Sequence, residues 1–583
     1  MVDTEQAEKR AEPTAEPKLA EKGKIYPPVY PEISDWPIYK LHQDRTDFVE
    51  EIDEYTLARF MRKPHGELSD ILAKTIYKER IRIKEEPWKV DPPNERQFWR
   101  RIRKKLVGES LDRNEEEAAK INEEILLTII HRYSEEIVGT FRIQTFLFAR
   151  RFLTFFFNRL LNSSLKPRFW GKVGKYRLQD RLICRGQVET VRALIKKGTV
   201  VVVPTHFSNL DSILIGYAMD TFMGLPSFAY GAGLNLYNTG YTAYFMNRLG
   251  AYRVDRRKKN PIYLETLKAM STLAMQRGVN SLFFPGGTRS RSGSLETSLK
   301  LGLLGTAVEA QRANFQKGKQ EKIFIVPLIL SYHFVLEAQF LVEQYLRQIG
   351  REHYIARRDD FTSLRRILKF AWEVFSKGND ITLSFGQPMD VLGNHVSVEG
   401  ESFDMHGNRI DVRDYFLSGG EVKTDLQRES EYTKLLSDRI IDRYHRDNIV
   451  LTSHLVAYAS FQLLKHQHPR LDLYGLLRLP PDDFVFPEET LLAVIDKLRE
   501  VLFAMEMRDE VKLSEKLWWD TRELLSDGIN RLGTFHVTRP LRINKEGEMV
   551  SENFKLLYFY HNRLSTYGLD KRINWRPYTM AER

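Results

Sequence analysis

Cysteine is almost missing from this chain, whose 583 residues include a single one, Cys184. One thiol cannot form a disulfide within the chain, and such scarcity is typical of proteins that work in a reducing compartment. We interpret Cys184, in the segment RLICRG, as a structural residue without a reactive role.

Long apolar runs are also missing. No segment reaches the roughly 18 uninterrupted apolar residues that a membrane-spanning helix requires, so we expect any membrane association to be peripheral. The first 24 residues are charged, rich in alanine and proline, and without the apolar centre of a signal peptide. We predict a disordered tail over residues 1–25.

Acidic residues are in the minority, since 89 Lys and Arg against 78 Asp and Glu give a net charge of +11. This balance favours an anionic partner, which could be a phosphorylated substrate, an acidic protein, an anionic lipid or a nucleic acid. Nucleic-acid binding is the weakest of these alternatives because no recognisable nucleic-acid motif accompanies the charge. We therefore predict no nucleic-acid partner.

Residues 26–165 have the three- and four-residue apolar spacing of a helical region. Two of its segments, RQFWRRIRKKL (96–106) and FLFARRFLTFFFNRLL (146–161), combine aromatic residues with arginines. Such helices can lie in a bilayer interface, with the arginines at the lipid phosphates. Alternatively, their apolar faces pack on the next domain; in the first segment that face holds Phe98, Trp99, Ile102 and Leu106.

Short apolar runs ending in glycine or proline alternate with helical patterns over residues 166–400. The predicted strands are VVVVP (200–204), NSLFFPGG (280–287), KIFIVPLILSY (322–332) and DITLSFGQP (380–388); the predicted helices include 186–198, ending at Gly198, and 261–278. This alternation predicts an α/β domain whose sheet is covered by helices on both faces. Residues 401–583 return to helical patterns and form the last predicted domain.

A histidine and an aspartate follow the β-branched strand in TVVVVPTHFSNLDS (199–212). On an ideal helix, five positions turn the side chains of His206 and Asp211 about 140° apart. They can meet only if the chain bends between them, as at a strand–turn–helix junction. The aspartate would then orient the imidazole, which would act as a general base. Alone, this HxxxxD spacing is a weak signal, and both residues could be ordinary loop residues.

A second polar cluster follows another predicted strand, in FFPGGTRSRSG (283–293). Gly286 and Gly287 let backbone amides converge on an anion, and Arg289 and Arg291 can bind a phosphate in a fork. Further positive charge comes from RLGAYRVDRR (248–257), which contains Arg253, Arg256 and Arg257, and from Lys300 downstream.

Taken together, these segments resemble the glycerolipid acyltransferases. That family has four ordered blocks, and this chain has HFSNLD, GAYRVDR, GGTRSRSG and IVPLILSY in the same order. The likeness is greater to glycerol-3-phosphate and dihydroxyacetone-phosphate acyltransferases than to lysophosphatidate enzymes, because 231–256 and 330–346, including Glu337, are also similar. The resemblance covers about residues 190–400. It implies a mixed sheet flanked by helices, with 166–400 as the acyltransferase domain.

The resemblance also implies roles for individual residues. His206 would be the general base and Asp211 its orienting partner. The implied substrate-binding residues are Arg256, Arg289 and Arg291 for the acceptor phosphate, together with the backbone of Gly287, Thr288 and Ser290, and Pro327 for the acyl-donor side. From its charge alone, we add Lys300 as a substrate-binding residue of the same pocket. The implied reaction moves a fatty acyl group from acyl-CoA or acyl carrier protein to glycerol 3-phosphate in phospholipid biosynthesis. It needs no metal or other cofactor, and we expect it at the cytoplasmic face of a membrane.

One position departs from the family pattern. The third block usually carries an acidic residue where this chain has Gly286, so that its role in ordering the acceptor site is absent or supplied elsewhere. Two alternatives therefore remain: acylation of lysophosphatidate, or a membrane-associated member of the family without catalytic activity.

Overall fold

The computed structural model describes residues 24–88, 91–92, 94–108, 115–162, 181–237, 240–350, 380–534 and 536–579. Nearly all of the predicted tail, residues 1–23, lies outside these ranges. So do 163–180, which include the start of the predicted α/β domain, and 351–379. None of the described helices is long and apolar enough to cross a membrane.

In the described part of the chain before the sheet there are six helices: α1 (Pro37–Gln43), α2 (Arg45–Met61), α3 (His65–Glu85), α4 (Glu95–Gly108), α5 (Glu115–Ile137) and α6 (Ile143–Asn162). Their apolar faces pack on one another and on one edge of the sheet. On α4, Phe98, Trp99 and Ile102 are buried in this cluster. The interfacial alternative is therefore wrong for this helix, because its aromatic face already has a protein partner.

Among the described residues, seven strands form the central sheet: β1 (Leu182–Gly186), β2 (Gly198–Pro204), β3 (Ala229–Gly233), β4 (Ala251–Val254), β5 (Ser281–Leu282), β6 (Lys322–Tyr332) and β7 (Ile381–Phe385). Their order across the sheet is β1-β7-β6-β2-β5-β3-β4. Only β6 and β7 run antiparallel to each other, and the other neighbours are parallel. The sheet is therefore mixed, with β2 near its centre.

Helices cover both faces of this sheet. The helices between the strands are α7 (Val188–Leu194), α8 (Asp211–Thr221), α9 (Gly240–Met246), α10 (Pro261–Gln276), α11 (Leu301–Gln316) and α12 (Ala338–Ile349). Alternate residues of β2 enter separate clusters: Val200 and Val202 face α7, α8 and α12, whereas Val201 and Val203 face α11. This is the fold class that the sequence predicts, a mixed sheet flanked by helices.

The C-terminal region packs against the same sheet. Its helices are α13 (Leu426–Arg446), α14 (Thr452–Gln467), α15 (Leu473–Leu477), α16 (Glu488–Met507), α17 (Thr521–Arg531), α18 (Phe554–His561) and α19 (Arg576–Thr579). Residues of α14, α16 and α18 belong to the cluster of Val200 and Val202, and α13 belongs to that of Val201 and Val203. The hydrophobic core thus runs across the predicted boundary at 400, and the domain limits stay predictions.

Short elements complete the chain. The strands are β8 (His395–Val396), β9 (Ser402–Phe403), β10 (Arg409–Ile410), β11 (Leu417–Ser418), β12 (Glu421–Val422), β13 (Ile449–Val450), β14 (Val485–Phe486), β15 (Lys512–Leu513), β16 (Arg542–Ile543) and β17 (Met549–Val550). The 3-10 helices are Ile33–Asp35, Leu234–Tyr237, Val412–Phe416, Pro481–Asp483, Glu515–Trp518, Asn562–Tyr567 and Leu569–Lys571.

The predicted helix over 186–198 is too long. Helix α7 ends at Leu194, and Gly198 is the first residue of β2 instead of the end of a helix. A Cβ atom at Gly198 would lie 2.1 Å from the carbonyl oxygen of Lys322 on β6. The glycine is thus required by the close approach of two strands.

Candidate active site

The predicted pair, His206 and Asp211, meets at the carboxyl end of β2. Strand β2 ends at Pro204, the chain turns, and Asp211 is the first residue of α8. The His206 Nδ1 atom lies 2.9 Å from Asp211 Oδ2. The bend that the sequence requires is therefore present, and it places the carboxylate on one ring nitrogen.

Asp211 is fully buried, and both of its oxygens accept hydrogen bonds. Besides His206, Oδ2 accepts from the backbone N–H groups of Phe207 at 2.8 Å and Ser208 at 3.0 Å. The Tyr332 hydroxyl donates to Oδ1 at 2.5 Å. Burial, then the Asp211 charge, raises the pKa of Tyr332, so that it stays a hydroxyl donor. Four donors thus hold one carboxylate, which in turn fixes the imidazole.

The other ring nitrogen of His206 faces a cavity. Its side chain is 16% exposed, and the ring stacks on Phe284 with the centroids 4.1 Å apart. In the described ranges, Nε2 has no hydrogen-bond partner, while Asp211 holds Nδ1. Of the two ring nitrogens, Nε2 is therefore the one open to a molecule bound in the cavity.

This cavity has a volume of about 440 Å³. It is lined from the ends of β2, β3, β4 and β5 and from α12 by Trp88, His206, Asn209, Ser212, Gly231, Gly233, Leu234, Leu236, Val254, Asp255, Arg256, Arg257, Phe284, Thr288, Arg289, Arg291, Phe340, Leu341 and Gln344. Ligands of α/β sheets gather at such carboxyl ends of strands. Of the predicted binding residues, Arg256, Thr288, Arg289 and Arg291 line the cavity with His206.

Three arginines place like charges together in this cavity. The pKa of Arg256 is lowered, mainly because the surrounding protein displaces water and secondly because of the charges of Arg289 and Arg291. Part of the Arg256 side chain nevertheless remains exposed to solvent. Within the described ranges, neither Arg256 nor Arg291 has a carboxylate at salt-bridge distance, whereas Arg289 lies 3.3 Å from Glu337. Arg257 is paired with Asp91 and Asp255. The cavity thus carries unbalanced positive charge that an anion would offset.

The loop after β5 uses two of its amides internally. The Gly287 N–H donates to the Phe284 carbonyl at 3.0 Å, and the Ser290 N–H donates to the His206 carbonyl at 2.7 Å. Gly287 has a φ of 78°, a left-handed conformation that favours glycine. In this conformation, the predicted anion contacts of the Gly287 and Ser290 amides are replaced by contacts within the protein.

Lys300 and Pro327, like Gly287 and Ser290, do not line the cavity. Lys300 precedes α11 with an exposed side chain, and its backbone N–H donates to the Pro285 carbonyl at 2.7 Å. Pro327 is buried within β6, opposite Val203 of β2. Both assignments stay predictions.

Two carboxylates near His206 were given no role by the sequence. Glu337 accepts from the Ser208 hydroxyl and the Asn209 N–H, both at 2.9 Å. Glu296 accepts from the His206 backbone N–H at 3.0 Å. Glu337 could have been found from the sequence, because it matches the segment that follows the fourth block in the resembled family. Glu296 lies in a polar stretch that matches no such segment.

The described residues include no group of three or more His, Cys, Asp and Glu side chains that could hold a metal ion. The expected independence from metals and cofactors stays a prediction. It rests on the chemistry of the His206 pair.

The comparison with known proteins agrees with the geometry of this site. Residues 185–331 match the family model described as Acyltransferase. Two glycerol-3-phosphate acyltransferases are similar to the chain: that of Alteromonas mediterranea, 24% identical over 275 residues, and that of Aeromonas hydrophila subsp. hydrophila, 25% identical over 279 residues. These matches cover 46% and 47% of this chain but only 30% of each relative's length.

Among solved structures, the 1-acyl-sn-glycerophosphate (LPA) acyltransferase PlsC from Thermotoga maritima covers 64% of this chain and 93% of its own, with 14% identity and a TM-score of 0.24. That likeness is too low to add to the assignment. The matched segment, residues 185–331, contains the His206 pair, the three arginines and most of the sheet. The chain therefore contains an acyltransferase domain, and it is similar to glycerol-3-phosphate acyltransferases.

Proposed function

We propose that this protein transfers a fatty acyl group from a thioester to the hydroxyl of glycerol 3-phosphate. One observation carries this proposal: the His206–Asp211 pair opens into the cavity that also holds Arg256, Arg289 and Arg291. A base beside crowded guanidinium groups fits an acceptor that has both a hydroxyl and a phosphate.

In the proposed reaction, His206 Nε2 removes the proton from the acceptor hydroxyl while its oxygen attacks the thioester carbonyl. The carbon–sulfur bond breaks, and the departing thiolate takes the proton from the imidazolium. Asp211 stabilises the charged ring through Nδ1 between these steps. No covalent acyl-enzyme is needed, because the acceptor brings its own nucleophile.

An apolar cavity next to the site supports a fatty acyl substrate. It has a volume of about 150 Å³ and lies between α6, α8 and the segment after α9. Apolar side chains dominate its lining, for example Leu153, Ile213 and Met246, and Ser212 lines both this cavity and the one that holds His206. A short stretch of an acyl chain placed here would lie beside the cavity that holds His206.

We further propose that helices α6 and α9 dock this protein on a membrane surface. Phe148, Phe152 and Phe155 of α6 are exposed by 58%, 41% and 68% of their surface. On α9, Tyr241 and Tyr244 are exposed by 79% and 49%, and Phe148 stacks on Phe245 across the two helices. Aromatic side chains of this kind favour the bilayer interface.

Positive charge borders this aromatic surface. The Arg248 guanidinium lies 4.0 Å from the Tyr244 ring, and the Arg142 N–H donates to the Arg248 carbonyl at 3.0 Å. Anionic lipid headgroups would contact these arginines while the rings enter the interface. The apolar cavity between α6 and α9 would then open toward the lipid, where fatty acyl substrates and products reside.

Co-sedimentation with vesicles that contain anionic phospholipid tests the membrane proposal. We expect Phe148→Ser combined with Phe155→Ser to lower the bound fraction severalfold, because each removes an exposed aromatic ring. Val537→Ser is the matched control, since Val537 is fully exposed elsewhere on the surface. Equal binding of all three proteins would contradict the proposal.

The activity is tested with purified protein, labelled acyl-CoA or acyl carrier protein, and each candidate acceptor. We expect a labelled lysophosphatidate product from glycerol 3-phosphate and its loss in His206→Ala. Full activity of His206→Ala would overturn the mechanism. Product from lysophosphatidate alone would assign the other acceptor, and no product from either would identify a non-catalytic member of the family.

A further inference from the structure

Gly286 is a glycine for reasons of space. Its φ lies outside the left-handed region, so the backbone at this position would accept any residue without strain. The three heavy atoms nearest to a Cβ atom there would all belong to Glu296: Cγ at 3.1 Å, Oε1 at 3.3 Å and Cδ at 3.7 Å. The Glu296 carboxylate occupies the place of a side chain at position 286.

From this place, Glu296 contacts the backbone of the proposed base. Its Oε1 accepts the His206 N–H at 3.0 Å, while the His206 carbonyl accepts the Ser290 N–H at 2.7 Å. Both polar groups of the His206 backbone are therefore bound by the segment after β5. Because Phe284 of the same segment stacks on the imidazole, this segment fixes the histidine at three points.

The environment of Glu296 is unusual for a carboxylate. Its Oε2 is buried and has no hydrogen-bond partner within the described ranges. Burial, with a smaller contribution from the Asp211 charge, raises the pKa of Glu296 to about 7, although the His206 N–H and Arg563 act in the opposite direction. Tyr444 faces the same carboxylate, whose charge contributes to the raised pKa of that tyrosine. A half-satisfied buried carboxylate is costly, and a residue without function would be expected to be apolar here.

We propose that Glu296 is a positioning residue for His206 and supplies, from outside the third block, the carboxylate that position 286 lacks. The absence of a side chain at Gly286 leaves space for the Glu296 side chain. The inference rests on the proposed function only in naming His206 as the base. It explains how the third block can carry Gly286 in place of the usual acidic residue while catalysis is retained. It also assigns a role to Glu296, which lies outside the four blocks.

Steady-state kinetics of Glu296→Ala test the first part of this proposal. We expect kcat to fall about ten- to a hundredfold, because a base displaced by a fraction of an ångström loses alignment with the hydroxyl. The KM for glycerol 3-phosphate should stay unchanged, since the arginines of the cavity are intact. Glu296→Gln should keep most of the activity, because its amide oxygen can still accept the His206 N–H.

Moving the carboxylate tests the second part. Gly286→Glu alone should lower kcat, because its side chain competes with Glu296 for one space and places like charges together. In the double variant Gly286→Glu with Glu296→Ala, we expect kcat to recover above that of either single variant. Glu321→Gln is the control, since Glu321 is exposed just before β6. Melting temperatures of all variants separate a loss of alignment from a loss of folding.

NMR of the His206 imidazole in wild type and Glu296→Ala keeps the test independent of turnover. We expect a changed ring chemical shift in Glu296→Ala, and a return toward wild type in the double variant. Wild-type kinetics and an unchanged His206 spectrum in Glu296→Ala would overturn the proposal, as would a double variant without recovery. If wild type lacks acyl transfer but the His206 spectrum responds as expected, the proposed function fails and the positioning role stands.

Discussion

The turn from Pro204 to Asp211 and the loop from Phe284 to Lys300 meet at His206 but differ in how their charges are balanced. In the turn, the Asp211 carboxylate accepts hydrogen bonds from two backbone amides, a tyrosine and the imidazole. The loop brings two guanidinium groups toward Arg256 and holds a carboxylate with an unpartnered oxygen within the described ranges. The turn is complete without a ligand, whereas the loop leaves charge for a ligand to balance.

Under the proposed function, this difference separates two tasks of the site. A general base must be oriented before the substrate arrives, so its supporting hydrogen bonds are all made within the protein. A phosphate site must exchange its ligand at each turnover, so its charges are balanced only when the ligand is bound. Variants in the turn should therefore act on kcat, and variants in the charged part of the loop should act on acceptor binding.

The largest effect is expected from Asp211→Asn in the turn. The amide cannot stabilise the imidazolium and can hold the ring in the wrong tautomer, so kcat should fall on the order of 10³- to 10⁴-fold. Single-turnover acyl transfer measures this loss, with circular dichroism as the control for folding. Retention of more than a tenth of the wild-type kcat would mean that Asp211 only supports the turn.

The next effect concerns stability and the Glu296 carboxylate. Its pKa in the folded protein, about 7, exceeds its ordinary value of 4.5, so the folded state binds the proton more tightly. Relative to Glu296→Gln, wild type should therefore lose on the order of 3 kcal/mol of unfolding free energy as the pH rises from about 4.5 to about 7. Urea unfolding at several pH values measures this difference.

Above pH 7, the difference between wild type and Glu296→Gln should level off, because Glu296 is then ionised in both the folded and the unfolded state. Glu321→Gln should show no comparable pH dependence. A difference in unfolding free energy between wild type and Glu296→Gln that is the same at every pH would show that the pKa of Glu296 is not raised by folding. The loop and the turn would then not differ in the electrostatic environment of their carboxylates.

Arg256→Ala tests whether the positive charge that Arg256 shares with the two loop arginines serves the acceptor. Loss of a charge-assisted hydrogen bond of about 1.5–3 kcal/mol should raise the KM for glycerol 3-phosphate roughly ten- to a hundredfold, with a smaller change in kcat. Lys259→Ala is the control, since it removes one exposed positive charge outside the cavity. An equal rise in both variants would indicate a general charge effect.

Sequence alone could predict the turn because all of its determinants are local. The β-branched strand, Pro204 and the spacing of His206 and Asp211 together require a bend. The role of Glu296 could not be predicted, since its contact with Gly286 and the His206 backbone exists only in the folded loop. The sequence shows that Gly286 lacks the usual acidic side chain, but it does not show that Glu296 lies at this position in the folded protein.

The aromatic helices α4 and α6 show the same limit. Both combine aromatic residues with arginines in the sequence, yet Trp99 of α4 is buried while Phe155 of α6 is 68% exposed. The apolar face of α4 is covered because it packs against the other N-terminal helices. The periodicity within one helix predicts an apolar face but not the element that covers it.

The smallest effect is expected from Tyr332→Phe, which removes one of the four donors to Asp211. The two backbone amides and the imidazole remain, so kcat should fall by about tenfold or less, with a loss of about 1 kcal/mol in stability. Tyr567→Phe is the matched control, because its buried hydroxyl donates to the His445 carbonyl at 2.6 Å, away from Asp211. The control should lose stability without losing kcat. If both variants change kcat equally, Tyr332 contributes to the packing of the turn and not to the charge of its carboxylate.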